Sequence, residues 1–249
     1  MCTHCGCGSD KASLINPSST TPAKILSLSQ DNKALHLHHA LLAGNDAIAE
    51  ANRHHFAHHH HTCLNLMGTP GAGKTALLEM LIQRLRQQGR GVAVLEGDQH
   101  TSNDARRIQA AGGQALQINT GTGCHLDAEM IRAGAESLHL PDGSLLIIEN
   151  VGNLVCPALF DLGESAKIAM MAVTDGDDKP VKYPHMFSHC ELVIVNKVDL
   201  LPYVDFDMDK VRHDLSHLNP GCPVLTLSAK TGEGVDAVLA WLTDRLADG

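Results

Sequence analysis

The sequence predicts an α/β protein, a mostly parallel sheet with helices on both faces, and three observations carry this. Six short segments are apolar and rich in Val, Ile and Leu: CLNLM (63–67), GVAVL (91–95), ALQI (115–118), LLIIE (145–149), ELVIV (191–195) and PVLTL (223–227). That composition suits strands buried on both faces. Helical patterns lie between or after them: TALLEMLIQRLRQQ, SNDARRIQAA, LDAEMIRAGAESL and a final GVDAVLAWLTDRLA. A glycine-rich loop, GTPGAGKT, occupies the first strand-to-helix junction. Alternating strands and helices wind into βαβ units, whose ligands bind at the carboxyl ends of the strands.

Taken in order, residues 1–30 are rich in Ser, Thr, Gly and Pro with little apolar periodicity, and read as a flexible tail. From Asp31 to about Arg53 the residues Leu35, His38, Leu41, Leu42 and Ile48 fall roughly at helical spacing, predicting one helix that can break at Gly44 and Asn45. The tract HHFAHHHH then leads into the first strand. The chain therefore divides into a tail (1–30), a helix with a His-rich segment (31–62) and a nucleotide-binding domain (63–249).

A length of 249 residues suits one substantial domain plus an extension. With 43% hydrophobic residues but one Trp, two Tyr and four Phe, the core must be built from Leu, Ile, Val, Ala and Met. A formal charge of −9 argues against nucleic acid as a partner. No apolar run approaches the roughly 18–20 residues of a membrane span, and the first residues lack signal-peptide character, so a cytoplasmic protein is expected. In that compartment the eight cysteines are thiols or metal ligands rather than disulfides. Cys63, Cys190 and Cys222 stand at strand beginnings and read as small core side chains. Nine of the seventeen histidines fall between positions 36 and 61.

The loop GTPGAGKT (68–75) fits the phosphate-binding pattern G-x-x-x-x-G-K-[ST] with a strand before it and a helix after. Gly68, Gly71, Ala72 and Gly73 let backbone N–H groups close around phosphate oxygens, Lys74 reaches the β/γ-phosphates, and the Thr75 hydroxyl is placed for Mg²⁺. Two later loops select the base: NKVD, with Asn196, Lys197 and Asp199, and SAK, with Ser228, Ala229 and Lys230. The Asp199 carboxylate can accept from the N1–H and exocyclic amine of guanine, donors that adenine does not offer as a pair, so GTP is favoured over ATP. EGDQHTSND puts Asp98 near the phosphates, and ENVG puts Glu149 where small GTPases carry the Asp of D-x-x-G. Both are expected in the Mg²⁺ shell, and with Lys74 they form the expected catalytic set. No Gln or Arg identifies itself as a water-orienting group, which predicts slow hydrolysis to GDP.

Two thiol groups suit a soft or borderline metal. Cys2, Cys5 and Cys7, with His4 among them, lie within six residues. Cys124 and His125 follow the third strand and Cys156 the fourth, so a parallel sheet brings them to the edge that carries the phosphate loop. Three such ligands leave a coordination position open or for a twofold-related subunit. The histidines His54, His55, His58, His59, His60 and His61 read as a weak, multi-ion reservoir for Ni²⁺, Zn²⁺ or Cu²⁺.

MCTHCGCG, GTPGAGKT, EGDQHTSND, NTGTGCHLDAEMI, LLIIENVGNLVCPALFDLGE and TDGDDKPVKYPHMF, in this order, resemble the HypB family of NiFe-hydrogenase maturation factors over residues 63–249 and the extreme N-terminus. The resemblance implies a P-loop GTPase of the SIMIBI class that dimerises around GTP and supplies nickel during hydrogenase maturation. It implies Ni²⁺ or Zn²⁺ at Cys124, His125 and Cys156, tight nickel binding at Cys2, Cys5 and Cys7, and nickel storage by the His-rich segment. The partners it implies are a small zinc-containing nickel chaperone and the hydrogenase large subunit. Two other readings are a nickel store or sensor, motivated by the clustered histidines, and a urease-type nickel-delivery GTPase, resting on shared architecture.

Overall fold

The computed structural model of the chain describes residues 32–98, 103–121 and 123–247. The calls on residues 1–30, including Cys2, His4, Cys5 and Cys7, lie outside the described residues. One compact unit begins at Asn45. The sheet has seven strands, all parallel: β1 (Thr62–Gly68), β2 (Val92–Asp98), β3 (Gln114–Asn119), β4 (Leu145–Glu149), β5 (Ala166–Ala172), β6 (Leu192–Asn196) and β7 (Val224–Thr226), in the order β3-β2-β4-β1-β5-β6-β7. The helices are α1 (Asn32–His58), α2 (Lys74–Gln87), α3 (Asn103–Ala111), α4 (Ala128–Leu138), three short turns α5 (Cys156–Leu159), α6 (Lys179–Lys182) and α7 (Pro184–Ser188), then α8 (Met208–Leu218) and α9 (Val235–Ala247).

Apolar residues alternate between the two faces of the sheet. On one face Leu64, Leu66, Val94, Ile147 and Ile168 meet Leu77, Leu78 and Leu81 of α2, Ile108 of α3 and Val238 and Leu242 of α9. On the other, Cys63, Leu95 and Ile148 meet Phe56 of α1 and Ile131 of α4, while Val193 and Val195 meet Phe187 of α7 and Val211 and Leu215 of α8. Period-2 alternation along each strand produces this division.

The sheet has one strand more than the sequence reading. β5, AKIAMMA, lies beside β1 at the centre, yet Ala and Met are helix formers and Lys167 breaks its apolar run, so propensity hides it. The backbones of β1 and β5 meet closely at the end of β1, where a Cβ on Gly68 would stand 2.4 Å from the Met170 carbonyl oxygen. β2 runs to Asp98, past the expected end at residue 95, which brings Glu96 into the sheet. The helix expected to end near Arg53 runs unbroken through Gly44 and Asn45 to His58. His54, His55 and His58 are therefore on a helix, and His59 to His61 form the turn into β1 rather than a loose tract.

The second half of α1 is tied to the loops after β3 and β4. Asn45 accepts from the Ala128 N–H (2.9 Å) and donates to the Asp161 carbonyl (2.7 Å). Asn52 is buried and donates to the carbonyls of Ala128 (2.8 Å) and Leu162 (3.0 Å). Arg53 holds the Asp161 carboxylate with two bonds of 2.9 and 2.8 Å. Among the described residues, no helix is long and apolar enough to cross a membrane.

Replacing Asn52 by Ala removes two buried hydrogen bonds, each contributing about 0.5–1.5 kcal/mol. Urea unfolding of Asn52→Ala should show a loss of at least about 1 kcal/mol, whereas Glu50→Ala, on the exposed face of the same helix, should change stability by less than about 0.5 kcal/mol.

Candidate functional site

β1 delivers the chain into a loop whose shape depends on glycine. Gly71 and Gly73 take positive φ (+75° and +95°), and a Cβ on Gly73 would come within 2.5 Å of Asn196 Nδ2. α2 then begins at Lys74, and its first-turn N–H groups and dipole make an anion site. Lys74 and Thr75 are both buried in this turn. Burial lowers the Lys74 pKa, opposed by the charge of Glu149 and of other carboxylates. The Thr75 hydroxyl donates to Glu149 Oε1 at 2.8 Å, joining the end of β4 to the loop.

The register of the sheet places Glu96 on β2 beside Glu149 on β4. Both are buried, and each keeps an oxygen, Oε2, with no hydrogen-bond partner. Burial pushes the Glu149 carboxyl up to about 7 and that of Glu96 to about 8, the latter helped by the charge of Glu149. Glu96 is a site residue that sequence reasoning missed, because the apolar run that marks β2 stops at Leu95. Asp98, at the end of β2, lines the same cleft with Asp104 and Arg107 of α3. The Arg107 guanidinium is engaged by Glu79 (2.9 and 2.8 Å) and Asp104 (3.1 Å). Buried carboxylate oxygens beside a hydroxyl make a hard donor set, the kind Mg²⁺ prefers.

At the far side of the loop the buried Asn196 side chain donates to the Ala72 carbonyl (2.7 Å) and accepts from the Ala229 N–H (2.9 Å). Lys197 follows in the left-handed region (φ +63°). Ser228 Oγ donates to Asp199 Oδ1 at 2.6 Å, so the carboxylate expected to read guanine is held by the SAK loop. Lys230 is exposed beside them. Asp175, also missed, accepts from the Thr69 hydroxyl and the Ala172 N–H (2.8 Å), fixing the start of the phosphate loop to the end of β5. Its position after a strand that sequence reasoning did not see explains the omission.

The second cluster lies at the same edge. Cys124 Sγ is 2.9 Å from Cys156 Sγ and 3.7 Å from His125 Nδ1. Among the described residues, these three alone bring three ligand atoms of this kind within 4.8 Å of one another. His125 stacks on Phe160 (centroids 3.9 Å, 21°) and burial lowers its pKa, keeping the imidazole in its neutral, ligating form. Two thiolates on one ion, with metal–sulfur bonds of about 2.3 Å, stand about 3.7 Å apart, so this pair could hold an ion by opening less than about 1 Å. Cys63, Cys190 and Cys222 instead pack with the core, as expected.

The loop between Glu149 and Cys156 lies against the phosphate loop. Asn153 forms an isolated antiparallel bridge with Gly68, and a Cβ on Gly152 would stand 2.9 Å from Pro70 Cα. The Asn150 N–H donates to the Leu66 carbonyl at 3.0 Å.

This fold and edge define a P-loop nucleotide-binding domain of the GTPase class that carries a thiol–imidazole cluster beside its phosphate loop. Residues 62–226 match the family model for the CobW/HypB/UreG nucleotide-binding domain. The hydrogenase maturation factor HypB of Escherichia coli K12 is 52% identical over 208 residues, covering 83% of this chain and 71% of that protein. Among solved structures, HypB of Helicobacter pylori in complex with nickel aligns with a TM-score of 0.76 at 35% identity, over 82% of this chain and 96% of that one. HypB of Archaeoglobus fulgidus aligns with a TM-score of 0.77 at 38% identity, over 82% and 100%. The chain belongs to the HypB family of hydrogenase maturation factors.

The shifted carboxyl of Glu96 sets a pH dependence. An unfolded glutamate ionises near 4.5, and the folded one near 8, so the folded chain holds an extra proton across that window. The stability this contributes is complete below about 4.5 and lost as the pH rises through about 8. Without nucleotide or divalent ions, Glu96→Gln should melt higher than the parent at pH 8.5 and within a degree or so of it at pH 5.

Proposed function

We propose that the protein is a GTP-hydrolysing nickel chaperone, in which the state of the nucleotide sets the geometry of the Cys124/His125/Cys156 cluster. One observation carries the reading: the segment that begins at Glu149, the partner of Thr75, and ends at Cys156 is bridged to Gly68 on the way. A shift at the phosphates therefore has a short covalent and hydrogen-bonded route to a metal ligand. The nickel-bound relative supports nickel as the cargo.

In this reading Gly68, Gly71, Ala72, Gly73 and Lys74 hold the phosphates, while Asn196, Lys197, Asp199, Ser228, Ala229 and Lys230 hold the guanine. Thr75, Asp98 and Glu149 would hold Mg²⁺, whose chemistry is to neutralise charge on the β- and γ-phosphates. The unpartnered Glu149 Oε2, buried beside the Thr75 hydroxyl, fits that ion. Lys74, Asp98 and Glu149 form the catalytic set. Asp199 supplies selectivity, because a base lacking the guanine donors leaves its charge unpaired. Among the described residues of the cleft, Arg107 is already engaged by Glu79 and Asp104 and is not free to orient water, which supports a slow intrinsic rate.

Three protein ligands leave room for a fourth, and a second subunit packed on this edge in the GTP state supplies a way to complete or withdraw it. Cys2, Cys5 and Cys7 form a second nickel site on the tail, and His54, His55 and His58 to His61 add storage capacity. A small zinc-containing nickel chaperone and the hydrogenase large subunit are the partners on either side of this step. The reading of the chain as chiefly a nickel store rests on the same histidines.

In a full chain carrying Cys2→Ser, Cys5→Ser and Cys7→Ser, Ni²⁺ affinity measured by calorimetry should differ at least fivefold between the GDP and non-hydrolysable GTP-analogue complexes, a coupling of about 1 kcal/mol. Equal affinities would end the switch reading. In cells, Lys74→Ala should abolish hydrogenase activity if turnover drives delivery, and leave it intact if storage is the main role.

A further inference from the structure

The amino edge of the sheet, opposite the nucleotide cleft, carries donors of its own. α1 closes in a turn of fixed backbone: His60 is left-handed (φ +54°), its N–H donates to the Ala57 carbonyl (3.1 Å), and the His61 N–H donates to the Phe56 carbonyl (2.8 Å). This is the Schellman pattern, made here with histidine in place of the usual glycine. The turn is tied to the loop before β4, where the Gly143 N–H donates to the His59 carbonyl at 2.9 Å and the Thr62 N–H to the Ser144 carbonyl at 3.1 Å. His139, directly after α4, is also left-handed (φ +47°). His55, His59, His61 and His139 line one pocket.

Two of these rings are held as metal-ligating imidazoles are held. His59 Nδ1 pairs with Asp142 Oδ1 at 2.9 Å, and His139 Nδ1 with the Glu136 carbonyl at 2.6 Å. A carboxylate or carbonyl on Nδ1 fixes the tautomer and leaves Nε2 to coordinate. His61 Nδ1 is buried with no hydrogen-bond partner. The ring centroids of His55 and His59 are 4.7 Å apart, and those of His59 and His61 are 5.6 Å apart. Two imidazoles on one ion, with metal–nitrogen bonds of about 2.0–2.1 Å, place their centroids roughly 5 Å apart.

We propose that His55, His59, His61 and His139 form a shaped, single-ion site for a borderline divalent cation, Ni²⁺ or Zn²⁺, oriented by Asp142 and the Glu136 carbonyl. The nitrogens do not converge as Cys124, His125 and Cys156 do, so binding closes the cluster by turning the rings about their side-chain torsions. The site takes its fourth ligand from outside the His-rich tract, which separates it from a loose reservoir, and it does not depend on the nucleotide reading. His54, His58 and His60 are exposed and do not line the pocket.

That separation sets the experiment. Full-length chain with Cys2, Cys5, Cys7 and Cys124 changed to Ser is titrated with Ni²⁺ alone and with Zn²⁺ alone, and circular dichroism with thermal melting checks the fold of every variant. One tight ion is expected. His139→Ala should weaken it at least tenfold and Asp142→Asn about tenfold, the range seen when an orienting partner is lost. The combined His54→Ala, His58→Ala, His60→Ala variant should bind as the parent does. If His139→Ala keeps the parent affinity, or if the triple variant removes the tight ion, the metal belongs to a reservoir and the shaped site does not exist. X-ray absorption on the loaded parent should count three or four imidazoles, and one or none would equally overturn it.

Discussion

Asn196 is the point on which the carboxyl edge of the sheet depends. It lies in the interior, where an amide must satisfy both its ends, and it does so by donating into the phosphate loop at Ala72 and accepting from the base loop at Ala229. One side chain therefore sets the spacing between the glycine-rich loop after β1 and the loop after β7, the two loops proposed to hold phosphates and base. The crowding at Gly73 follows from the same placement, since the Asn196 amide fills the space a Cβ would need. A nucleotide of fixed length meets two loops whose separation is fixed by hydrogen bonds rather than by its own arrival, and such preorganisation lowers the ordering cost of binding.

Most of this edge was legible in the sequence. Glycines followed by Lys74 and Thr75, with an apolar run before them and a helical period after, have few other physical uses. Parallel topology then brings Cys124, His125 and Cys156 together without knowledge of any distance. What stayed hidden has two physical causes. β5 was lost because Ala and Met, five of its seven residues with Ile168 as its one β-branched member and Lys167 breaking the apolar run, do not announce a strand. With β5 went Asp175, whose role depends on where that strand ends. Glu96 was lost because a buried carboxyl inside a strand contradicts the apolar pattern used to find strands, and such contradictions gather at working sites.

The His-rich segment gains a shape that composition does not reveal. Phe56 anchors it in the core and a left-handed turn at His60 fixes its backbone. α1 also carries Asn45, Asn52 and Arg53, whose bonds to Ala128, Asp161 and Leu162 hold the loops downstream of Cys124 and of Cys156. A helix that periodicity alone presented as a preface to the domain thus serves as the outer brace of the thiol–imidazole cluster.

Between Glu149 and Cys156 the chain has seven steps, which even fully extended reach no more than about 25 Å. It is pinned once on the way, where Asn153 pairs with Gly68. The segment is in effect a tether of set length with a fixed pulley, and its residue count matters as much as its residue types. An added residue would introduce slack that absorbs motion, and a missing one would pull Cys156 away from Cys124. Loop length, usually the most freely varied quantity in a protein surface, is here a mechanical constant.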